Sequence, residues 1–126
     1  MPPIGSVGWI DLTVPDAPGV RDFYKDVVGW TVSEFDMGGY FDYVMQQPDD
    51  GTGVAGVCHA TGANAGLPPA WLVYWIVASV DAAIEACTAR GGVVVAGPRT
   101  HGEHARYAIL RDPAGAVFAV FQSDAT

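Results

Sequence analysis

The chain has 126 residues, half of them hydrophobic, and its 14 acidic and 6 basic side chains give a formal net charge of −8. This length suits one domain that can bury a core, and the acidic charge argues against nucleic acid or anionic membranes as partners. No stretch has the length of an apolar membrane span and the first residues lack a signal-peptide pattern, so the sequence predicts a cytoplasmic protein.

The first predicted unit covers residues 6–59 and has the element order βαβββ. Its first strand, over residues 6–14, alternates apolar positions with mixed ones, which is typical of a strand with two different faces. Pro15 and Asp16 end this strand and begin a helix that closes at Gly29. Further strands are predicted at residues 30–35, 40–47 and 53–58.

The second predicted unit, residues 70–122, has the same order. Residues 60–69 are small, turn-prone and uncharged, which indicates a connector between the units. A strand begins at Trp71, and Ser79 begins a helix that ends at the Gly91-Gly92 pair. The remaining strands are predicted at residues 93–96, 104–110 and 116–122.

The two units also align as an internal repeat. An offset of 63 (72 − 9) pairs Trp9 with Leu72, and an offset of 64 (107 − 43) pairs Tyr43 with Tyr107. Such a period indicates one supersecondary unit used twice. We therefore expect a single α+β domain over residues 1–126, in which two tandem βαβββ units form curved mixed sheets with helices on the outer face.

Four short motifs stand in order along the chain: Pro15-Asp16, Phe23-Tyr24, Gly29-Trp30 and Asp112-Pro113-Ala114-Gly115. Together with the duplicated unit, they resemble the vicinal oxygen chelate superfamily, which includes glyoxalase I, bleomycin resistance proteins and extradiol dioxygenases. The resemblance covers nearly the whole chain. It is nearest to a glyoxalase-like branch that lacks the metal ligands.

The resemblance implies where metal ligands would stand. Carried over from the metal-dependent members, the ligand positions fall on Trp9, Leu72 and Ala119. Transition metals need imidazole, carboxylate or thiolate donors, which these side chains do not offer. We therefore expect no metal and no other cofactor. The three histidines are interpreted as solvated loop residues, with a non-classical metal site as the open alternative: His59, His101 and His104.

A cupped pocket is predicted from strand phase. If the family's phase holds, Trp9, Tyr43, Tyr74 and Tyr107 face inward and form a mainly apolar surface suited to a flat organic ligand. Asp11 lies two residues after Trp9 and so on the same face, where its carboxylate is a candidate general base and ligand contact. Arg106, by the same alternation, lies on the face opposite Tyr107.

Three functions remain open from the sequence. The first is a protein that binds a small aromatic organic molecule in this pocket without a metal, and the second is a metal-independent lyase, isomerase or oxygenase that uses Asp11 and pocket tyrosines. The third is a non-catalytic interaction module. We also expect a homodimer, because the superfamily usually completes its cups by pairing subunits.

Overall fold

The computed structural model describes residues 2–123 and has the element order βαβββ twice over. The α+β class and the duplicated order predicted from the sequence are confirmed. No helix in this range is long and apolar enough to cross a membrane. The elements are β1 (Val7–Val14), α1 (Ala17–Val28), β2 (Thr31–Asp36), β3 (Phe41–Gln46), β4 (Gly53–His59), β5 (Trp71–Ile76), α2 (Val80–Ala89), β6 (Val93–His101), β7 (Ala105–Arg111) and β8 (Val117–Gln122).

The chain divides into two compact units, which we call the first unit (residues 10–71) and the second unit (residues 2–9 with 72–123). In the first unit the strands lie in the order β2-β3-β4-β1. β1 runs parallel to β4, whereas the other neighbours are antiparallel. The first unit is therefore a mixed sheet with one helix.

The second unit repeats this arrangement in the order β5-β8-β7-β6. β5 is parallel to β8, and β7 is antiparallel to both of its neighbours. The segment before β1 adds to the unit, since the Gly5 N–H donates to the Ile76 carbonyl at 2.7 Å and the Ile76 N–H donates to the Ser6 carbonyl at 2.9 Å.

Capping residues fix the ends of both helices. The Asp16 carboxylate accepts from the Gly19 N–H at 3.1 Å, and the Ser79 hydroxyl accepts from the Ala82 N–H at the same distance. Each satisfies a backbone donor that the first turn leaves free. At its other end α1 stops at Gly29, whose φ of +87° suits a residue without a side chain.

One face of each sheet is covered by the helix of the same unit. In the first unit, Leu12 and Val14 of β1 pack with Ala17 at the start of α1. The other buried members of this core are Tyr43, Met45 and Val57. In the second unit the core beneath α2 consists of Val80, Ala108, Leu110 and Val120. Alternate residues of these strands must therefore point to the opposite face.

β6 is longer than the sequence predicted. The sequence predicted a strand over residues 93–96 only, whereas the structure continues it through Gly97 and Pro98 to His101. The pairing with β7 shifts register between Ala96 and Arg99, and this bulge accommodates the glycine and the proline. The predicted boundary at residue 96 was wrong for this reason.

The helix-facing core should carry much of the stability. Leu110 is 1% exposed in the core beneath α2, so Leu110→Ala is expected to lower the free energy of unfolding by about 2–5 kcal/mol through lost burial and a residual cavity. Val93→Ala, at a position 50% exposed, should cost less than about 1 kcal/mol. Urea unfolding measures both, and equal losses would contradict this assignment of the core.

Candidate functional site

The first unit carries titratable side chains on the sheet face away from α1. Asp11, Asp42 and Cys58 each stand next to a core residue on their own strand, and alternation turns them to the other side. We call these three residues the polar face. Asp42 is 8% exposed and Cys58 is half-buried.

The polar face changes the chemistry of its thiol. Burial, followed by the nearby carboxylates of Asp11 and Asp42, raises the pKa of Cys58 far above its usual value. The Asp42 carboxylate also accepts a hydrogen bond from the thiol. Cys58 therefore stays protonated at neutral pH and is a poor nucleophile, because the reactive species is the thiolate.

Tyr43 does not join this face, which corrects the inward orientation predicted for it. It is 7% exposed and lies in the core with Leu12 and Val57, beneath α1. The guanidinium carbon of Arg21, from α1, lies 4.6 Å from the centroid of its ring. Tyr43 is thus a core residue with a cation–π contact rather than a residue lining the open face.

The inward orientation of Tyr43 followed from the family's strand phase, and the repeat alignment likewise paired it with Tyr107. Tyr43 pairs with Val57 in the first unit, and Ala108 pairs with Val120 in the second, and all four lie in helix-facing cores. The structural counterpart of Tyr43 is therefore Ala108, at an offset of 65 (108 − 43), rather than Tyr107. A slip of one residue along a strand reverses the face of every side chain.

The second unit carries rings on the face away from α2. Tyr74 and Tyr107 have ring centroids 6.2 Å apart at an angle of 51°, and the rings of His101 and Phe121 are also 6.2 Å apart, nearly edge to face. Tyr107 and Phe121 are direct partners across β7 and β8. We call these four residues the aromatic face.

The polar and aromatic faces occupy equivalent positions in the repeat. Three residues of the polar face have an equivalent residue in the aromatic face. The pairs are Asp11 and Tyr74, Asp42 and Tyr107, and Cys58 and Phe121. The same backbone thus presents two carboxylates and a thiol in one unit and three aromatic rings in the other. The two units therefore differ in the chemistry of the faces away from their helices.

A cation stands beside the aromatic face. Arg99 is the partner of Tyr107 on β6, and residues directly opposite across an antiparallel pair share a face. Sequence reasoning missed Arg99, His101 and Phe121 as candidate site residues. Alternation along β8 identifies Phe121, but the other two depend on the unexpected length of β6.

Arg106 and Trp9 were also placed relative to this face from the sequence. Arg106 is confirmed on the opposite face from Tyr107, because its guanidinium binds the Asp81 carboxylate of α2 at 2.8 Å. Trp9 is half-buried in β1 and belongs to the same unit as Tyr74 and Tyr107. Its role as a ligand contact stays a prediction.

The residues at the superfamily's ligand positions do not fit a metal. Leu72 is 1% exposed and Ala119 is completely buried, and neither they nor Trp9 can donate to a cation. Across residues 2–123, histidine, cysteine and carboxylate side chains form no group of three that could hold an ion.

The three histidines differ from one another. His104 is exposed near Glu103, as expected for a loop residue. His101 is exposed at the end of β6 and belongs to the aromatic face. The expectation that His59 is a solvated loop residue was wrong. His59 is the last residue of β4, and Nδ1 of its ring lies 3.2 Å from the buried Asp42 carboxylate.

The contribution of Asp11 to the raised pKa of Cys58 can be measured from the reactivity of the thiol. In a Cys87→Ser background, Asp11→Asn is expected to increase the rate at which Cys58 reacts with a disulfide reagent at mildly alkaline pH by a few-fold. Removing the negative charge lowers the thiol pKa and so increases the thiolate fraction, although burial remains the larger cause. Asp49→Asn, in the exposed turn after β3, is the control. An unchanged rate in Asp11→Asn would place its carboxylate away from Cys58.

Several known proteins are similar to this chain in sequence or in fold. A chain from Streptomyces peucetius, "Anthracycline biosynthesis protein DnrV", is 33% identical over 94% of this chain and 47% of its own length. The present chain thus spans about half the length of the curated relatives it matches. A methylmalonyl-CoA epimerase from Streptomyces coelicolor has a TM-score of 0.58 at 18% identity, covering 98% of each chain.

A second solved structure, a hypothetical protein from Bacillus halodurans, has a TM-score of 0.60 at 13% identity over 97% of this chain and 96% of its own. At these identities the structural likeness establishes the fold alone. The family model described as "Glyoxalase/Bleomycin resistance protein/Dioxygenase superfamily" matches residues 6–120. The duplicated βαβββ unit, the fold and this match together establish that the chain belongs to the glyoxalase/bleomycin resistance protein/dioxygenase superfamily.

Proposed function

We propose that this protein binds a small aromatic organic molecule in a cupped pocket without using a metal. The observation that carries this proposal is the aromatic face, where four rings lie on one side of the second unit's sheet. Flat ligands stack on such rings in offset or edge-to-face geometry. Few polar groups are needed to orient a ligand in a mainly apolar site.

Each residue of this site has a distinct proposed role. Tyr74 and Tyr107 stack on the ligand, and their hydroxyls orient it. Arg99, opposite Tyr107, attracts a negatively charged substituent. Trp9 is a further apolar contact. Tyr43 has no part in it, because it is buried beneath α1.

The named relative supports the aromatic character of the ligand. It is named for anthracycline biosynthesis, and anthracyclines contain a flat system of fused rings. Because that relative is about twice as long, the ligand of the present chain need not be an anthracycline. The support is for a flat aromatic shape, which the aromatic face fits independently.

Catalysis without a metal is the second candidate function, and the polar face favours it. Asp11 is half-buried near another carboxylate and a thiol, which is a setting typical of acid–base groups. In this reading Asp11 accepts a proton from the substrate of a lyase, isomerase or oxygenase reaction. Cys58 would not act as the nucleophile, because its thiol stays protonated.

Binding at the aromatic face can be measured with anthraquinone-2-carboxylate, which is flat and negatively charged. Titration calorimetry should detect binding to the wild-type protein, and Tyr107→Ala should weaken it about tenfold, since one aromatic contact contributes roughly 0.5–1.5 kcal/mol beyond its buried area. Tyr74→Ala should have a similar effect.

Phe41→Ala removes an exposed aromatic side chain of the first unit and is the matched control. Equal weakening by Phe41→Ala, or no binding by the wild-type protein, would exclude the aromatic face as the site. Recovery of the compound unchanged after incubation agrees with binding alone. Conversion that is lost in Asp11→Asn would instead favour the enzyme.

We also expect a homodimer. Phe23 is 57% exposed and Val27 is 64% exposed, one turn apart on α1, and an apolar pair of this kind favours a protein partner. Sedimentation at micromolar concentration should give the mass of two chains. Phe23→Glu combined with Val27→Glu should weaken association, whereas Val93→Glu should not. A monomeric wild-type protein would contradict the expectation.

A further inference from the structure

The side chain of His59 is held by a buried carboxylate in the first unit. One oxygen of Asp42 accepts from the His59 backbone N–H at 2.9 Å and lies 3.2 Å from Nδ1 of the ring. Asp42 is 8% exposed, and the side chain of His59 is 20% exposed. The ring is thus oriented from the inside and reaches the surface.

This contact determines which ring nitrogen carries the proton. An ionised carboxylate has no proton to donate, so the Nδ1–Oδ1 contact is a hydrogen bond only when Nδ1 is the donor. In the neutral ring Nε2 then carries a lone pair. Among residues 2–123, no side chain or backbone group donates to Nε2.

Two aromatic rings lie near the His59 imidazole. The Tyr40 ring lies 5.4 Å away, nearly edge to face, and the Tyr43 ring lies 6.0 Å away. Tyr40 is partly exposed, whereas Tyr43 is buried and carries Arg21 over its ring. A proton acceptor next to an exposed ring suits a ligand with both a hydroxyl group and an aromatic ring.

We propose that His59 and Asp42 form a binding site for the hydroxyl group of a hydroxylated aromatic molecule. The ligand O–H donates to Nε2 of His59, Asp42 holds the ring in the required tautomer, and Tyr40 contacts the ring of the ligand. Asp42 acts as a positioning residue, since it contacts the ligand only through His59. The site lies in the first unit and does not depend on ligand binding at the aromatic face.

Nitrogen-15 NMR of the imidazole rings in the full chain tests the tautomer first. At a pH where His59 is neutral, Nδ1 should have the shift of a protonated nitrogen and Nε2 that of an unprotonated one. The His59→Gln variant assigns the signals. A protonated Nε2 in the wild-type protein would overturn the proposal.

Phenol and anisole then test the ligand, because they share a ring but only phenol can donate. Phenol should shift the Nε2 signal of His59, and anisole should leave it unchanged. His59→Gln should weaken phenol binding about fivefold, as expected for the loss of one hydrogen bond, whereas the exposed control His104→Gln should not. Equal responses to the two compounds, or equal phenol affinity in His59→Gln and wild type, would overturn the site.

Asp42→Asn separates positioning from contact. This variant should populate both tautomers of His59 and weaken phenol binding, while anisole binding stays as in the wild-type protein. If burial of the amide prevents folding, the wild-type tautomer and the comparison of phenol with anisole decide the question alone. A folded Asp42→Asn variant with unchanged tautomer and phenol affinity would remove Asp42 from the site.

Discussion

The packing of one helix against one sheet face is the constraint on which the rest of this structure depends. Once Leu12 and Val14 are buried against α1, alternation leaves Asp11 no orientation but the opposite face. The same rule places Tyr107 away from α2 because Ala108 is in the core. The apolar pattern of the strands therefore selects which side chains can meet a ligand.

Equivalent positions of the two repeated units carry side chains of different chemistry. Changes on the helix-facing side are limited by packing, because a core loses stability with each cavity or polar group. The other face is freer to change, and there the first unit has Asp11 and Asp42 where the second has Tyr74 and Tyr107. The two units thus share the packing of one helix on one sheet face but differ on the faces away from the helices.

The elements were predictable from the sequence because they depend on local signals such as Asp16 and Ser79 at the helix starts. The orientation of Tyr43 was not, because the predicted alignment used an offset of 64 at this strand, whereas strand pairing gives an offset of 65 (108 − 43). His59 could not be placed either, since its partner Asp42 is 17 residues away along the chain. The single domain over residues 1–126 remains a prediction.

The apolar side chains at the ligand positions and the rings of the aromatic face suit the same kind of recognition. A metal fixes a ligand through a few strong directional bonds, which require donors at Leu72 and Ala119, but both positions are filled by buried apolar side chains. Without those bonds, recognition must come from many weaker contacts over a larger area. Aromatic rings provide such area at little cost in side-chain entropy, because each has only two rotatable bonds. Under the proposed binding function, the ligand is therefore selected by shape and stacking, with single polar groups setting its orientation.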